Sequence, residues 1–92
     1  MEHRRVVITG IGVIASNGIG KDDFWSAIQK GKSGIKNIKS FDASKFPVHI
    51  AGEIQNIKFE DFISNKDVKR MDRFTQLGVS AALMAVKDAR LE

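Results

Sequence analysis

Val6-Val7-Ile8-Thr9-Gly10-Ile11-Gly12-Val13-Ile14-Ala15-Ser16-Asn17-Gly18-Ile19-Gly20 is the stretch on which the fold turns. Its first four residues form a β-branched run, the composition of a strand covered on both faces. Glycines then recur, and a backbone without Cβ atoms can turn there and approach its neighbours closely. A first helix is expected over residues 21–30. Asp22 and Asp23 in its first turn and Lys30 in its last complement the helix dipole, and Gly31 offers the stop. Phe24, Trp25 and Ile28 recur at helical spacing and are expected to form its buried stripe.

Outward from this opening, residues 31–47 are punctuated by Gly31, Ser33, Gly34, Asn37, Ser40, Asp42 and Pro47. Val48, Ile50 and Ile54 then alternate with His49, Ala51 and Glu53, the period of a strand with one wet face. Phe59, Phe62 and Ile63 suggest a helical turn or two. Ser64-Asn65-Lys66-Asp67 reads as a helix start, with Ser64 as cap and Asp67 three residues on. The helical pattern then runs on to about Arg90. Residues 77–89 are apolar almost all the way round, and Met71 and Met84 are expected in the core. Gly78, Ala82, Ala85 and Ala89 recur at spacings of three and four, a seam with little side-chain bulk against which another backbone can pack.

A nearly all-apolar helix and a doubly buried strand ask for more partner surface than 92 residues supply. A chain of this length buries only about 60–65% of its unfolded surface. The expected unit is therefore a portion of a larger α/β domain, or a subunit that depends on another chain. Composition is otherwise that of a globular protein, with 42% apolar and 28% charged residues. Cysteine is absent, which removes disulfides, thiolate nucleophiles and cysteine-based zinc sites. His3 and His49, the two histidines, are too few for a metal centre. Arg4-Arg5 before an apolar run resembles a signal peptide, but Thr9, Gly10 and Gly12 interrupt that run, and the chain reads as cytoplasmic with no membrane span. The charge of +4, from 15 basic against 11 acidic residues, bears on partners rather than on fold.

Gly10-x-Gly12-x-x-Ala15 after a strand satisfies the dinucleotide fingerprint. The helix that should open at once is postponed to Lys21, and the acidic residue wanted about 20 positions on is missing, so the glycines read first as a tight strand exit. The phosphate-loop pattern fails because Asp22 follows Gly20-Lys21. Lys66, Lys69 and Arg70 stand at i, i+3 and i+4 on one helical face, joined by Arg73 if the helix is unbroken through Met71. The bland reading is a solvated surface and the functional one a docking patch for something acidic. Nucleic acid is not expected, since no recognition motif or interleaved aromatic accompanies the patch. Lys30, Lys32, Lys36, Lys39 and Lys45 read as solubility, His49 as a surface or interface residue and Trp25 as packing.

Taken in order, these segments resemble a family. The run Arg4-Arg5-Val6-Val7-Ile8-Thr9-Gly10-Ile11-Gly12 is similar to the opening of the β-ketoacyl-acyl-carrier-protein synthases, most of all their type II elongating members. Phe24-Trp25, Gly31-Lys32-Ser33-Gly34-Ile35, Phe41-Asp42, Ile50-Ala51-Gly52 and Lys69-Arg70-Met71-Asp72-Arg73-Phe74 follow in the family's sequence. Asp88-Ala89-Arg90-Leu91 resembles a D-[SA]-G-L segment, with Arg90 where the family usually has glycine.

The resemblance implies a thiolase-like α-β-α-β-α layered fold, of which residues 1–92 form the N-terminal part of the first half. It implies homodimers and a decarboxylative condensation of an acyl thioester with malonyl-carrier in fatty-acid elongation. The cysteine, two histidines and lysine of that chemistry lie downstream, so no catalytic, cofactor-binding or metal-binding residue is expected within the chain, nor any cofactor. The positions matching Lys66, Lys69 and Arg70 meet the acyl carrier protein. The alternatives are a non-catalytic truncated or chain-length-factor-like module that binds carrier or a partner subunit and, third, a dinucleotide-binding fragment.

Overall fold

The computed structural model describes residues 3–91, and in it the glycine-rich exit forms a hairpin. β1 (Ile14–Ala15) pairs antiparallel with β2 (Gly18–Ile19). The Gly20 amide closes the loop onto the Val13 carbonyl at 2.8 Å. α1 (Lys21–Gln29) follows at once and packs on β2, with the expected start and an end one residue short of the expected one. A second antiparallel hairpin joins β3 (Lys36–Asn37) to β4 (Ile50–Ala51). A 3₁₀ turn (Phe59–Asp61), α2 (Asn65–Val68) and α3 (Arg73–Asp88) complete the order, and the turn touches both helices.

Gly10 and Gly12 lie against α3. A Cβ on Gly10 would stand 2.7 Å from the Ala89 amide nitrogen, and one on Gly12 would be 2.9 Å from that of Ala85 and closer still to the Ala81 carbonyl. Backbone thus meets backbone, as the small-residue seam anticipated through Ala85 and Ala89. Ala81 is its third member, whereas Gly78 and Ala82 are exposed and Gly78 faces open space. The dinucleotide reading fails here. The two glycines address the flank of a helix rather than opening one, so no ring of helix N-terminal amides stands beside them.

Asp88 ties this junction together. Its carboxylate accepts the Ile11 amide at 3.0 Å and pairs with the Lys21 ammonium at 2.5 Å, joining the strand exit, the start of α1 and the end of α3. The hydrogen bond from Lys21, then that from Ile11, hold the Asp88 carboxyl below the usual carboxylate range, and the same partner raises Lys21.

Five sequence expectations change. The run Val6-Val7-Ile8-Thr9 pairs with no strand among the described residues, and Val6 is 92% exposed. The helix expected from Ser64 to about Arg90 is two helices, separated at Lys69 to Asp72, because Asp72 turns extended at ψ 160°. The stripe of α1 lies open: Trp25 and Ile28 are exposed, Phe24 is half-buried, and Ala27 is the buried residue of the helix. Met71 and Met84 are likewise only half-buried. The strand over 48–54 shrinks to β4, with Val48 and Ile50 exposed.

Apart from the helix break, these changes share a cause. The accessible surface is 7797 Å² where a folded monomer of this mass exposes about 5,300 Å². The radius of gyration is 16.6 Å against about 12 Å for a compact chain of this length. Elements built to be covered on two sides are covered here on one. Among the described residues only Ala27, Ala43, Phe59, Ile63 and Ser80 are buried.

Both long helices end alike. After α1, the Gly31 amide bonds the Ile28 carbonyl and the Lys32 amide that of Ala27, with Gly31 left-handed at φ 67°. After α3, Arg90 and Leu91 repeat the pattern onto Lys87 and Val86, with Arg90 at φ 59°. A Cβ in that region crowds the following carbonyl. Arg90→Gly should therefore stabilise the protein by about 0.5–1 kcal/mol, the steric relief less the extra unfolded-state freedom of glycine, read from the urea midpoint.

The Asp88 junction sets a pH dependence. A depressed carboxyl contributes stability above the unfolded value of about 3.9 and loses it as pH falls through the lower folded value. The raised Lys21 contributes below about 10.4 and loses its share as pH climbs through its higher folded value. Asp88→Asn keeps an acceptor for Ile11 without the charge. It should flatten both flanks of a urea-midpoint profile across pH.

Candidate functional site

The cationic residues sit around α2 and the turn beyond it. Ser64 starts this helix as expected, its hydroxyl accepting the Asp67 amide at 3.3 Å. Lys66 lies in the helix and Lys69 is its C-cap; there the amides of Val68 and Lys69 bond four residues back, at 2.9 and 3.3 Å. Arg70 and Met71 bond three back instead, to Asp67 at 3.0 Å and Val68 at 3.2 Å. Such a tightened last turn shifts each residue by about 20°, so Lys66, Lys69 and Arg70 stay on one side of the segment. All three are exposed, and among the described residues no carboxylate pairs with them. They present three free positive charges to solvent.

Arg73 does not join them. The break at Asp72 redirects it, and its guanidinium donates to the Ile54 carbonyl at 2.6 Å while lying 5.6 Å above the Phe59 ring. It is a strut between α3, the 3₁₀ turn and the segment after β4. Gln76, which sequence reasoning passed over, reaches back from α3 and donates its amide to the carbonyls of Val68 at 2.9 Å and Met71 at 3.3 Å. The signal for the break was Asp72 itself, a favoured N-cap residue standing before an apolar run.

The remaining candidates take structural places. Lysines 30, 32, 36, 39 and 45 are exposed, as is His49, whose backbone carbonyl receives the Ile38 amide at 2.8 Å. Glu53 accepts the amides of Lys39 and Ser40 and the Ser40 hydroxyl, with the hydroxyl the main cause of its lowered carboxyl pKa. One loop thus occupies its oxygens. Among the described residues no three His, Cys, Asp or Glu side chains are grouped to hold a metal, and no helix is long and apolar enough to cross a membrane. The geometry offers an exposed cationic turn at Lys66, Lys69 and Arg70.

Comparison with known proteins agrees with this frame. Residues 3–92 match the family described as "Beta-ketoacyl synthase, N-terminal domain". The chain is 44% identical over 91 residues to 3-oxoacyl-acyl-carrier-protein synthase 2 of Staphylococcus aureus strain COL, covering 99% of this chain and 22% of that protein. It is 39% identical over 92 residues to the Vibrio harveyi protein of the same name, again 22% of its length. The solved structure of "The ishigamide ketosynthase/chain length factor" superposes with a TM-score of 0.89 at 37% identity, over 99% of this chain and 23% of that one. The likeness gives the thiolase-like α/β fold. The chain spans about a fifth of the length of the curated relatives it matches.

The strut and the free cations should separate on mutation. Arg73→Met removes a charged hydrogen bond and a cation–π contact and should cost about 1–2 kcal/mol in denaturant unfolding. Lys66→Gln, Lys69→Gln and Arg70→Gln, which touch nothing charged, should each stay within about 0.5 kcal/mol.

Proposed function

The chain belongs to the β-ketoacyl synthase family, and on that premise we propose that it is the N-terminal part of the first thiolase-like half of a 3-oxoacyl-acyl-carrier-protein synthase. Such an enzyme moves an acyl group from a carrier thioester to a cysteine, then condenses it with the carbanion left by decarboxylation of malonyl-carrier. A cysteine-free segment holds no acyl intermediate. Its share is the opening strand, the helices that pack on it and part of the face that receives the carrier. The exposed apolar surfaces of 6–9, α1 and α3 are covered by the rest of the subunit and its homodimer partner. The reaction is cytoplasmic.

The observation that carries the docking role is the turn at Lys66, Lys69 and Arg70, three unpaired cations on one side of a short helix. The partner is the acyl carrier protein, met on its acidic face. Charges exposed to water steer an encounter and raise its on-rate more than its affinity. Each pair contributes about 0.2–1 kcal/mol, so the three act together and salt weakens them. Modest affinity suits a carrier that must dock and leave in every cycle.

Neutralising all three by Lys66→Gln, Lys69→Gln and Arg70→Gln in the complete synthase should raise KM for acyl-carrier substrate about tenfold at low salt, with kcat little changed. The difference from wild type should shrink as salt rises from about 0.05 to about 0.5 M. An unaltered KM at low salt would remove the docking role.

A further inference from the structure

The docking turn is the end of a helix only four residues long, and a helix that short is not stable by itself. Beyond Lys69 the turn is closed by three-residue bonds, from the Arg70 amide to Asp67 and from the Met71 amide to Val68, whose poorer geometry leaves it free to fray. Something must hold Lys69 and Arg70 in place. The Val68 carbonyl already accepts the Met71 amide at 3.2 Å. Gln76, one turn into α3, adds a second donor to Val68 and supplies a donor to Met71. An NH2 group carries two donors and so bridges both carbonyls, which a side chain without donors cannot do. The bonds span the two helices across the break at Asp72, and the side chain is half-buried where the cations are exposed.

We propose that Gln76 is a positioning residue of the carrier-docking face: its amide pins the carbonyls of Val68 and Met71, which flank Lys69 and Arg70, and so fixes the direction in which those cations point. The inference rests on the docking reading above. Gln76 itself meets no carrier. It acts by removing alternative directions of the turn, so that less ordering is left to the encounter. α3 carries the longest helical stack of the chain and therefore serves as the anchor. Arg73, one turn earlier on α3, fixes the same helix to the Ile54 carbonyl, so the turn is referred to a braced element.

The test uses the complete synthase and two donors of one acyl group, the acyl carrier protein and free pantetheine, which lacks any protein surface. The readout is the ratio of kcat/KM for the carrier-borne to that for the pantetheine-borne substrate. A merely structural loss lowers both values and leaves the ratio alone. Gln76→Met, similar in length but without donors, should lower the ratio about fivefold, comparable to losing one hydrogen bond. Added to the triple neutralisation of Lys66, Lys69 and Arg70, it should lower the ratio no further, since there are no cations left to aim.

A ratio unmoved by Gln76→Met, in a background where the triple variant does lower it, overturns the positioning role and leaves docking standing. A fall that adds in full to the triple variant's also overturns it, because Gln76 then acts elsewhere. A triple variant with an unmoved ratio removes the docking reading itself. Should Gln76→Met fail to fold, Gln76→Asn keeps an amide but shortens its reach by one methylene, and its ratio is read by the same rules.

Discussion

The close approach of Gly10 and Gly12 to the alanine face of α3 is the constraint from which the other elements take their places. Without side chains between them, the strand exit and the helix meet at backbone distance, near enough for Asp88 to take the Ile11 amide. The same carboxylate reaches Lys21, so the position of α1 is referred to the same point. The hairpin between them is short because it only has to turn the chain from one to the other. A methyl group on Gly12 would meet α3 backbone, which cannot move aside as a flexible side chain can.

Around this junction, charge is divided by task. Arg73 and Lys21 are engaged, one with a carbonyl and an aromatic ring and the other with a carboxylate, and they brace the fold. Lys66, Lys69 and Arg70 have no such partners and remain available to a passing anionic surface. Arg73 lies within eight residues of all three in sequence, and the bend at Asp72 is what separates it from them. The apolar faces of Trp25, Ile28, Phe74 and the 6–9 run answer to a different demand, contact with large neighbouring surfaces.

Much of this was legible in the residues. The start of α1, the stop at Gly31, the Ser64 cap and the low-bulk seam at Ala85 and Ala89 each rest on local chemistry that one sequence displays. The break after Met71 was marked by Asp72 alone, since 66–90 keeps an acceptable helical composition throughout and hydrophobic periodicity shows no interruption there. That miss displaced Arg73 from the cationic face and hid Gln76 altogether, because both act by reaching back across the bend. The exposed stripe of α1 and the unpaired 6–9 run are a different kind of miss. Period and composition correctly mark surfaces suited to burial, but they do not say which polypeptide does the burying.

The Ile11–Asp88 contact joins residues 77 positions apart. On a ribosome extending a chain by about 5–20 residues per second, the β-branched opening therefore leaves the exit tunnel roughly 4–15 s ahead of the carboxylate that will anchor it. During that interval the segment lacks the alanine face of α3 against which Gly10 and Gly12 pack. The junction that organises these residues can thus close only once Asp88 has followed them out of the ribosome.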